Sequence, residues 1–195
     1  MNLYLVRHAE SMGDALNLIE GRADFPLTEK GKNRAEDLAE HFASVPIDRI
    51  LSSPLSRSMQ TANIIGRRLN VPIIECEDFT SYDNGKIAGL TLAEADQKYP
   101  KPKVKYAHTE IYGMESMVDF RSRIEKGLYH ILFDGNEEDN VLIVTHGGVI
   151  NEIIKIFLDI PVTRDYSFAS AGGSFAHLEY CKDGSKKILS INRQI

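Results

Sequence analysis

The sequence predicts a three-layer α/β/α domain, with helices packed on both faces of a central, mostly parallel sheet. Two observations carry this expectation. Short apolar runs of the kind buried on both faces of a sheet recur along the chain, as in Leu3-Tyr4-Leu5-Val6 and Val141-Leu142-Ile143-Val144. Between them lie stretches whose apolar residues follow helical spacing. A length of 195 residues and an apolar content of 43% fit one domain with a sizeable core, expected over residues 1–195.

Residues 3–6 form the first predicted strand. Residues 8–27, rich in Gly, Asp and Ser, read as a long loop, and loops of that length are usually functional. From Thr28 a helix should bury Ala35, Leu38, Ala39 and Phe42 and end by Val45-Pro46. Ile50-Leu51 is a second strand. The turn Ser52-Ser53-Pro54 leads into a helix with Leu55, Met59, Ala62, Ile65 and Leu69 on its inner side. Residues 71–74 are a third strand, and residues 75–90 are irregular and acidic, with a turn at Asp83-Asn84-Gly85. Thr91-Leu92-Ala93-Glu94 has the capping-box pattern, so a short helix should start there and stop before Pro100. Residues 101–112 are an irregular excursion, and Lys98, Lys101, Lys103 and Lys105 read as a solvated charged loop in preference to contacts with an anionic substrate tail. A long helix then turns Met117, Phe120, Ile124, Leu128 and Ile131 inward, and Met114 is expected to pack in the core with them. Residues 141–144 are the most hydrophobic strand, followed by a helix carrying Ile150, Ile153, Ile154 and Phe157. Two alternating strands, 174–180 and 187–192, flank an Asp183-Gly184 turn.

Lys plus Arg number 23 and Asp plus Glu 28, a net charge of -5, which argues against a sequence-independent grip on nucleic acid or an anionic membrane. No apolar run approaches transmembrane length. The run before Arg7 is too short for a signal peptide, so a cytoplasmic protein is expected. Cys76 and Cys181 form no metal-spaced or redox-type pair, which fits a reducing compartment with both thiols in or near the core. A monomer or homodimer acting on a small molecule is the expectation.

Arg7-His8, Arg57 and His146 each stand at a strand-to-helix junction. Ligands of parallel sheets bind beyond the carboxyl ends of the strands, so these side chains should meet in one crevice. Arginine offers a planar fork of charge-assisted donors that suits phosphate oxygens. Helix starts near Leu55 and Gly148 would add backbone N–H groups and positive dipole ends. A histidine among such cations is pushed toward its neutral form, which is the nucleophilic one. Phosphoryl chemistry follows.

Several stretches resemble the histidine phosphatase superfamily, also called phosphoglycerate mutase-like. Arg7-His8-Ala9-Glu10-Ser11 is similar to its Arg-His-Gly signature, with Ala9 in place of glycine. Asp24-Phe25-Pro26-Leu27-Thr28 is similar to its Asp-x-Pro-Leu-Thr segment, and Ser53-Pro54-Leu55-Ser56-Arg57-Ser58-Met59-Gln60-Thr61-Ala62 to its Ser-Pro-Leu-x-Arg helix. Gly113-Met114-Glu115-Ser116 with Arg123, and Thr145-His146-Gly147-Gly148, resemble two further motifs in the same order. The resemblance implies a phosphatase acting on small phosphate monoesters. His8 would become phosphohistidine, Arg7 and Arg57 would clamp the phosphoryl oxygens, and His146 would hydrogen-bond the same group. No cofactor and no metal is implied, in keeping with the lack of a closely spaced His and carboxylate set in the sequence.

Two departures stand out. Asp14 occupies the place where the family usually has a phosphate-holding asparagine. A carboxylate about 4 Å from a phosphoryl oxygen would repel it by about 4 kcal/mol at an effective dielectric of 20, so Asp14 either turns away, as a solvated loop residue, or holds a proton. Ser81 stands at the family's proton-donor position, and serine cannot supply a proton near neutrality. Asp83 is the nearest replacement, ahead of Glu77 and Asp78, although Asp-Asn-Gly is also an ordinary turn. Loss of general acid catalysis costs about 10²- to 10⁴-fold in rate, so turnover is expected to be weak if no replacement serves. The alternatives are a phosphoglycerate mutase, disfavoured because the chain is shorter than typical mutases, and a regulatory protein that binds phosphate esters with weakened catalysis.

Overall fold

A strand whose inner residues are all apolar has no solvent face, and this chain uses such a strand as its midline. In β4 (Asn140–Thr145), Val141 and Ile143 enter one hydrophobic cluster while Leu142 and Val144 enter another on the opposite face. The computed structural model, which describes residues 1–103 and 106–195, builds a six-stranded sheet around it. Its strands are β1 (Asn2–Arg7), β2 (Arg49–Ser52), β3 (Ile73–Glu75), β4, β5 (Phe175–Tyr180) and β6 (Lys186–Arg193), in the spatial order β3-β2-β4-β1-β5-β6. The pairings among β1 to β4 are parallel, and β5 and β6 add an antiparallel edge. Lys105 lies outside the described residues.

Helices cover both faces, as expected. The long helices α2 (Glu29–Phe42) and α3 (Ser56–Leu69) bury Leu38, Phe42, Ala62 and Ile65 on one side. On the other, α5 (Met117–Asp134) and α6 (Gly147–Phe157) bury Phe120, Ile124, Ile153 and Phe157. The short helix α4 (Leu92–Lys98) starts at a complete capping box between Thr91 and Glu94. No helix among the described residues is long and apolar enough to cross a membrane. Cys76 and Cys181 are free and half-buried.

Three local expectations are corrected. Residues 8–27 are not a continuous loop, because α1 (Met12–Ala15) forms within them, closed by a capping box between Ser11 and Asp14. Four residues are too few to show a periodicity, although the Ser-x-x-Asp signal was present. The third strand begins at Ile73, because Asn70 caps α3 in the left-handed region and Pro72 has no N–H for a ladder. Met114 lines a cavity instead of entering the core.

The start of α2 lies directly on the segment that follows β1. A Cβ on Gly31 would sit 2.1 Å from the Glu10 carbonyl oxygen. Gly31→Ala should therefore lower stability by about 1–3 kcal/mol through overpacking, despite the roughly 1 kcal/mol that alanine gains in helix propensity. The urea midpoint should fall at unchanged slope; an unaltered midpoint would show that α2 can retreat freely.

Candidate functional site

Because β1 and β4 are parallel neighbours with Arg7 opposite Thr145, their carboxyl ends deliver His8 and His146 side by side. The His8 N–H donates to the Thr145 carbonyl at 2.9 Å, and the two imidazole centroids are 5.1 Å apart. From the other side of β4, β2 leads through Ser53 into α3, whose second residue is Arg57. Arg57 Nε lies 3.3 Å from His8 Nε2. The fold thus brings Arg7, His8, Arg57 and His146 together. His8, Arg57 and His146 are only 2%, 1% and 3% exposed. Ala9 suits its place, being fully buried with its N–H bonded to Thr61 Oγ1 at 3.2 Å.

The His8 ring is set by its hydrogen bonds. Nδ1 lies 2.9 Å from the Ala9 carbonyl oxygen, which can only accept, so Nδ1 carries the proton and Nε2 keeps its lone pair. Burial, then the Arg57 guanidinium, pushes the His8 pKa down to about 3. His146 is also held well below the usual imidazole range, by burial first and then by His8 and Arg57. Both rings are neutral near pH 7. His8 Nε2 is therefore unprotonated, its lone pair turned toward the Arg57 Nε–H at 3.3 Å.

The donors around it are partly committed. Arg57 spends Nη1 on the Ala23 carbonyl (3.1 Å) and Nη2 on the Gly21 carbonyl (2.7 Å), leaving Nε toward the nucleophile. Arg7 donates from Nη1 to the Ser170 carbonyl at 2.8 Å, and its Nε is buried with no partner among the described residues. His146 Nε2 meets Ser53 Oγ at 2.8 Å, while its Nδ1 is likewise buried and unpartnered among the described residues. One expected contributor is corrected: the start of α3 is occupied, since Asp24 takes the Ser56 N–H at 2.8 Å and the Ser56 hydroxyl at 2.6 Å. The start of α6, capped by no side chain, is the helix terminus that remains.

Two carboxylates complete the cluster. Asp14 is not a solvated loop residue; its Oδ1 pairs with Arg7 Nη2 at 3.0 Å and its Oδ2 accepts from the Ser11 N–H at 3.1 Å. Glu20 escaped the sequence reading altogether. Its Oε2 lies 3.3 Å from Arg57 Nε and 3.8 Å from His8 Nε2, and its Oε1 accepts from the Ser11 hydroxyl. Burial raises its pKa, against the pull of Ser11 and Arg57. The only signal was its place in the 8–27 segment, beside Gly21. His8, Asp14 and Glu20 offer ligand atoms within 4.8 Å of one another, so the fold does assemble a close His and carboxylate set that the sequence did not show. Both carboxylates already face guanidinium groups, which makes the set charge-matched without an ion.

Asp83 lies on a neighbouring segment. Its Oδ1 accepts from the Gly85 N–H at 2.9 Å, as a turn aspartate does, and its Oδ2 is 3.6 Å from Arg22 Nη1. Arg123 organises this segment: it holds Glu115 with two bonds (3.0 and 2.7 Å) and takes the carbonyls of Asp78, Thr80 and Ser81. Glu115 in turn accepts from the Asp83 N–H at 2.7 Å. Beyond lies an apolar cavity of about 420 Å³ lined by Ile19, Tyr82, Ile87, Tyr99, Tyr112 and Met114. Ile19 adjoins Glu20 and Tyr82 adjoins Asp83, so the cavity borders the cluster along the chain.

With this geometry in place, comparison with known proteins becomes decisive. The sequence model of the histidine phosphatase superfamily (branch 1) matches residues 3–194. The chain belongs to this superfamily. It is 32% identical over 151 residues to a protein named uncharacterized phosphatase PhoE from Bacillus subtilis strain 168, covering 77% of this chain and 74% of that one. It is 27% identical over 184 residues to the probable phosphoglycerate mutase GpmB of Salmonella paratyphi A, covering 92% and 85%. Among solved structures, a putative alpha-ribazole-5'-P phosphatase from Escherichia coli superposes with a TM-score of 0.89 at 21% identity, covering 99% and 96%. That likeness shows that the superfamily's fold is kept.

The depressed His8 pKa has two consequences. Imidazole ¹⁵N shifts should report His8 as the neutral Nδ1–H tautomer from about pH 5 to pH 8, and a titration near 6.5 would overturn this arrangement. Unfolding frees His8 and His146 to take up protons below about pH 6.5, where the folded state resists them, so the unfolded chain binds more protons there. Their contribution to stability should be complete above that pH and fall as the pH drops toward about 3.

Proposed function

We propose that this protein is a phosphatase that hydrolyses small phosphate monoesters through a phosphohistidine at His8. The observation that carries the reading is the convergence of a neutral imidazole, its Nε2 unprotonated and facing Arg57, with Arg7 and His146 in a buried cluster. The buried, unpartnered Arg7 Nε and His146 Nδ1 support it, because a phosphoryl group would supply the oxygens they lack.

In the first step Nε2 forms a bond to phosphorus as the bond to the ester oxygen breaks, with charge on the phosphoryl oxygens met by Arg7, Arg57 and the start of α6. The leaving oxygen takes a proton from Asp83. Water then attacks phosphorus, the N–P bond breaks, its electron pair returns to Nε2, and Asp83 recovers a proton from the water. Ester and water become alcohol and phosphate. No metal takes part, and Asp14 keeps Arg7 aimed at the phosphoryl group. The organic part of the ester lies toward the apolar cavity lined by Tyr82, Tyr99 and Tyr112. The acidic net charge supports a small-molecule partner over nucleic acid or a membrane surface, and a cytoplasmic monomer or homodimer is proposed with it. The name of PhoE supports hydrolysis. That of GpmB favours a second reading, in which a product hydroxyl instead of water receives the phosphoryl group.

Wild-type protein should hydrolyse a generic aryl phosphate at a rate unaffected by a chelator, and His8→Ala should fall to background. Equal rates for the two would end the proposal. Conversion of 3-phosphoglycerate to its 2-isomer without phosphate release would install the mutase in its place. If Asp83 is the donor, Asp83→Asn should slow alkyl phosphates by about 10²- to 10⁴-fold and aryl phosphates far less. A uniform effect on both would remove Asp83 from that role.

A further inference from the structure

Glu20 sits where an incoming phosphoryl group must go. Its Oε2 and His8 Nε2 are 3.8 Å apart, and Arg57 Nε lies 3.3 Å from each. A phosphorus atom bonded to Nε2 carries its oxygens one bond further out, which places one of them between Nε2 and the Glu20 carboxyl. Two oxygens that can only accept would then compete for one guanidinium N–H.

The charges sharpen the conflict. Four charged groups surround this point: Arg7 on β1, Asp14 on α1, Arg57 on α3 and Glu20 itself, with Asp24 4.0 Å from the far side of Arg57. Neutral His8 and His146, and the Ser11 hydroxyl, complete the surroundings. With Glu20 ionised, two cations already face two carboxylates, and a dianion would enter a buried site with no net positive charge. A proton on Glu20 removes one negative charge and turns an acceptor into a donor.

We infer that Glu20 is a further phosphoryl-binding residue that acts as a neutral carboxylic acid, donating a hydrogen bond to a phosphoryl oxygen, so that the site takes up one proton with each dianion it binds. The inference rests on the phosphate-binding reading of this cluster. Burial of the carboxyl moves it in the required direction before any ligand arrives.

Sulfate is the probe of choice, because it stays a dianion from about pH 5 to pH 8.5 and brings no titration of its own. Calorimetry should show wild-type affinity for sulfate falling by up to about tenfold per pH unit toward the alkaline end, with proton uptake visible as a buffer-dependent enthalpy. Glu20→Gln keeps a donor without the titration, so its affinity should be flat over the same range. A pH-independent wild-type affinity would overturn the inference, and that measurement needs no variant. A slope that survives in Glu20→Gln but disappears in Asp14→Asn would overturn it by moving the proton to Asp14. No binding of sulfate or inorganic phosphate by the wild type at any pH would instead bring down the anion-site reading, and this inference with it.

Discussion

The contact between Arg57 and His8 is the constraint on which the rest of the site depends. A guanidinium that is 1% exposed keeps its charge at high cost unless its donors are met, and here they are met by the carbonyls of Gly21 and Ala23, the Glu20 carboxylate and His8 Nε2. Burial first, and then the same charge that needs those partners, hold the His8 imidazole neutral. One buried cation therefore does two things: it folds residues 20–24 over the site, and it keeps Nε2 available. Gly21 makes the fold-over possible, with φ at +54° and Asn84 so close that a Cβ would meet its side chain at 2.5 Å.

The sheet explains why this can be arranged so tightly. β1 and β4 are adjacent and parallel, and β2 lies against the other side of β4, so three strand ends open on one edge although their residues are far apart in sequence. Strands packed between two hydrophobic layers cannot shift without opening both, which fixes the backbones of His8 and His146 against one another. The antiparallel pair β5 and β6 carries none of the four converging side chains. It contributes indirectly, since the segment leading into β5 presents the Ser170 carbonyl to Arg7 and the backbone of Gly173 to His8.

What could be read from the sequence followed from periodicity and from side chains tied to strand ends. The doubly apolar β4, the helical stripes of α2, α3, α5 and α6, and the meeting of Arg7, His8, Arg57 and His146 are all products of regular elements, whose geometry carries a residue number directly into a position. Glu20 and α1 were not legible for the converse reason. Between Ser11 and Leu27 the chain path is set by hydrogen bonds to partners remote in sequence, among them Arg57 at the two carbonyls and Gln60 at the Leu27 N–H, and no local pattern encodes those distances. The partner of Asp14 was hidden for the same reason, because Arg7 is visible as its counter-charge only once α1 folds back on β1.

The segment that carries Asp83 obeys a different logic from the nucleophile's. It belongs to no strand, and its path is dictated by α5 through Arg123, which takes the carbonyls of Asp78, Thr80 and Ser81 and fixes Glu115, whose own carboxylate receives the Asp83 N–H. Tyr82 points the other way, its hydroxyl donating to the Glu115 carbonyl and its ring meeting Phe120 edge-on. Anchoring by a forked cation to carbonyls leaves the side chain of residue 81 free to differ without disturbing the backbone that presents it, whereas Asp83 shapes its own turn through the Gly85 N–H. Serine at position 81 leaves the structure unharmed on that ground: the sheet and Arg57 hold His8, and Arg123 takes the Ser81 carbonyl, not its side chain. His8 and Asp83 thus rest on separate supports, joined where Arg22 reaches from the 20–24 fold-over to Asp83.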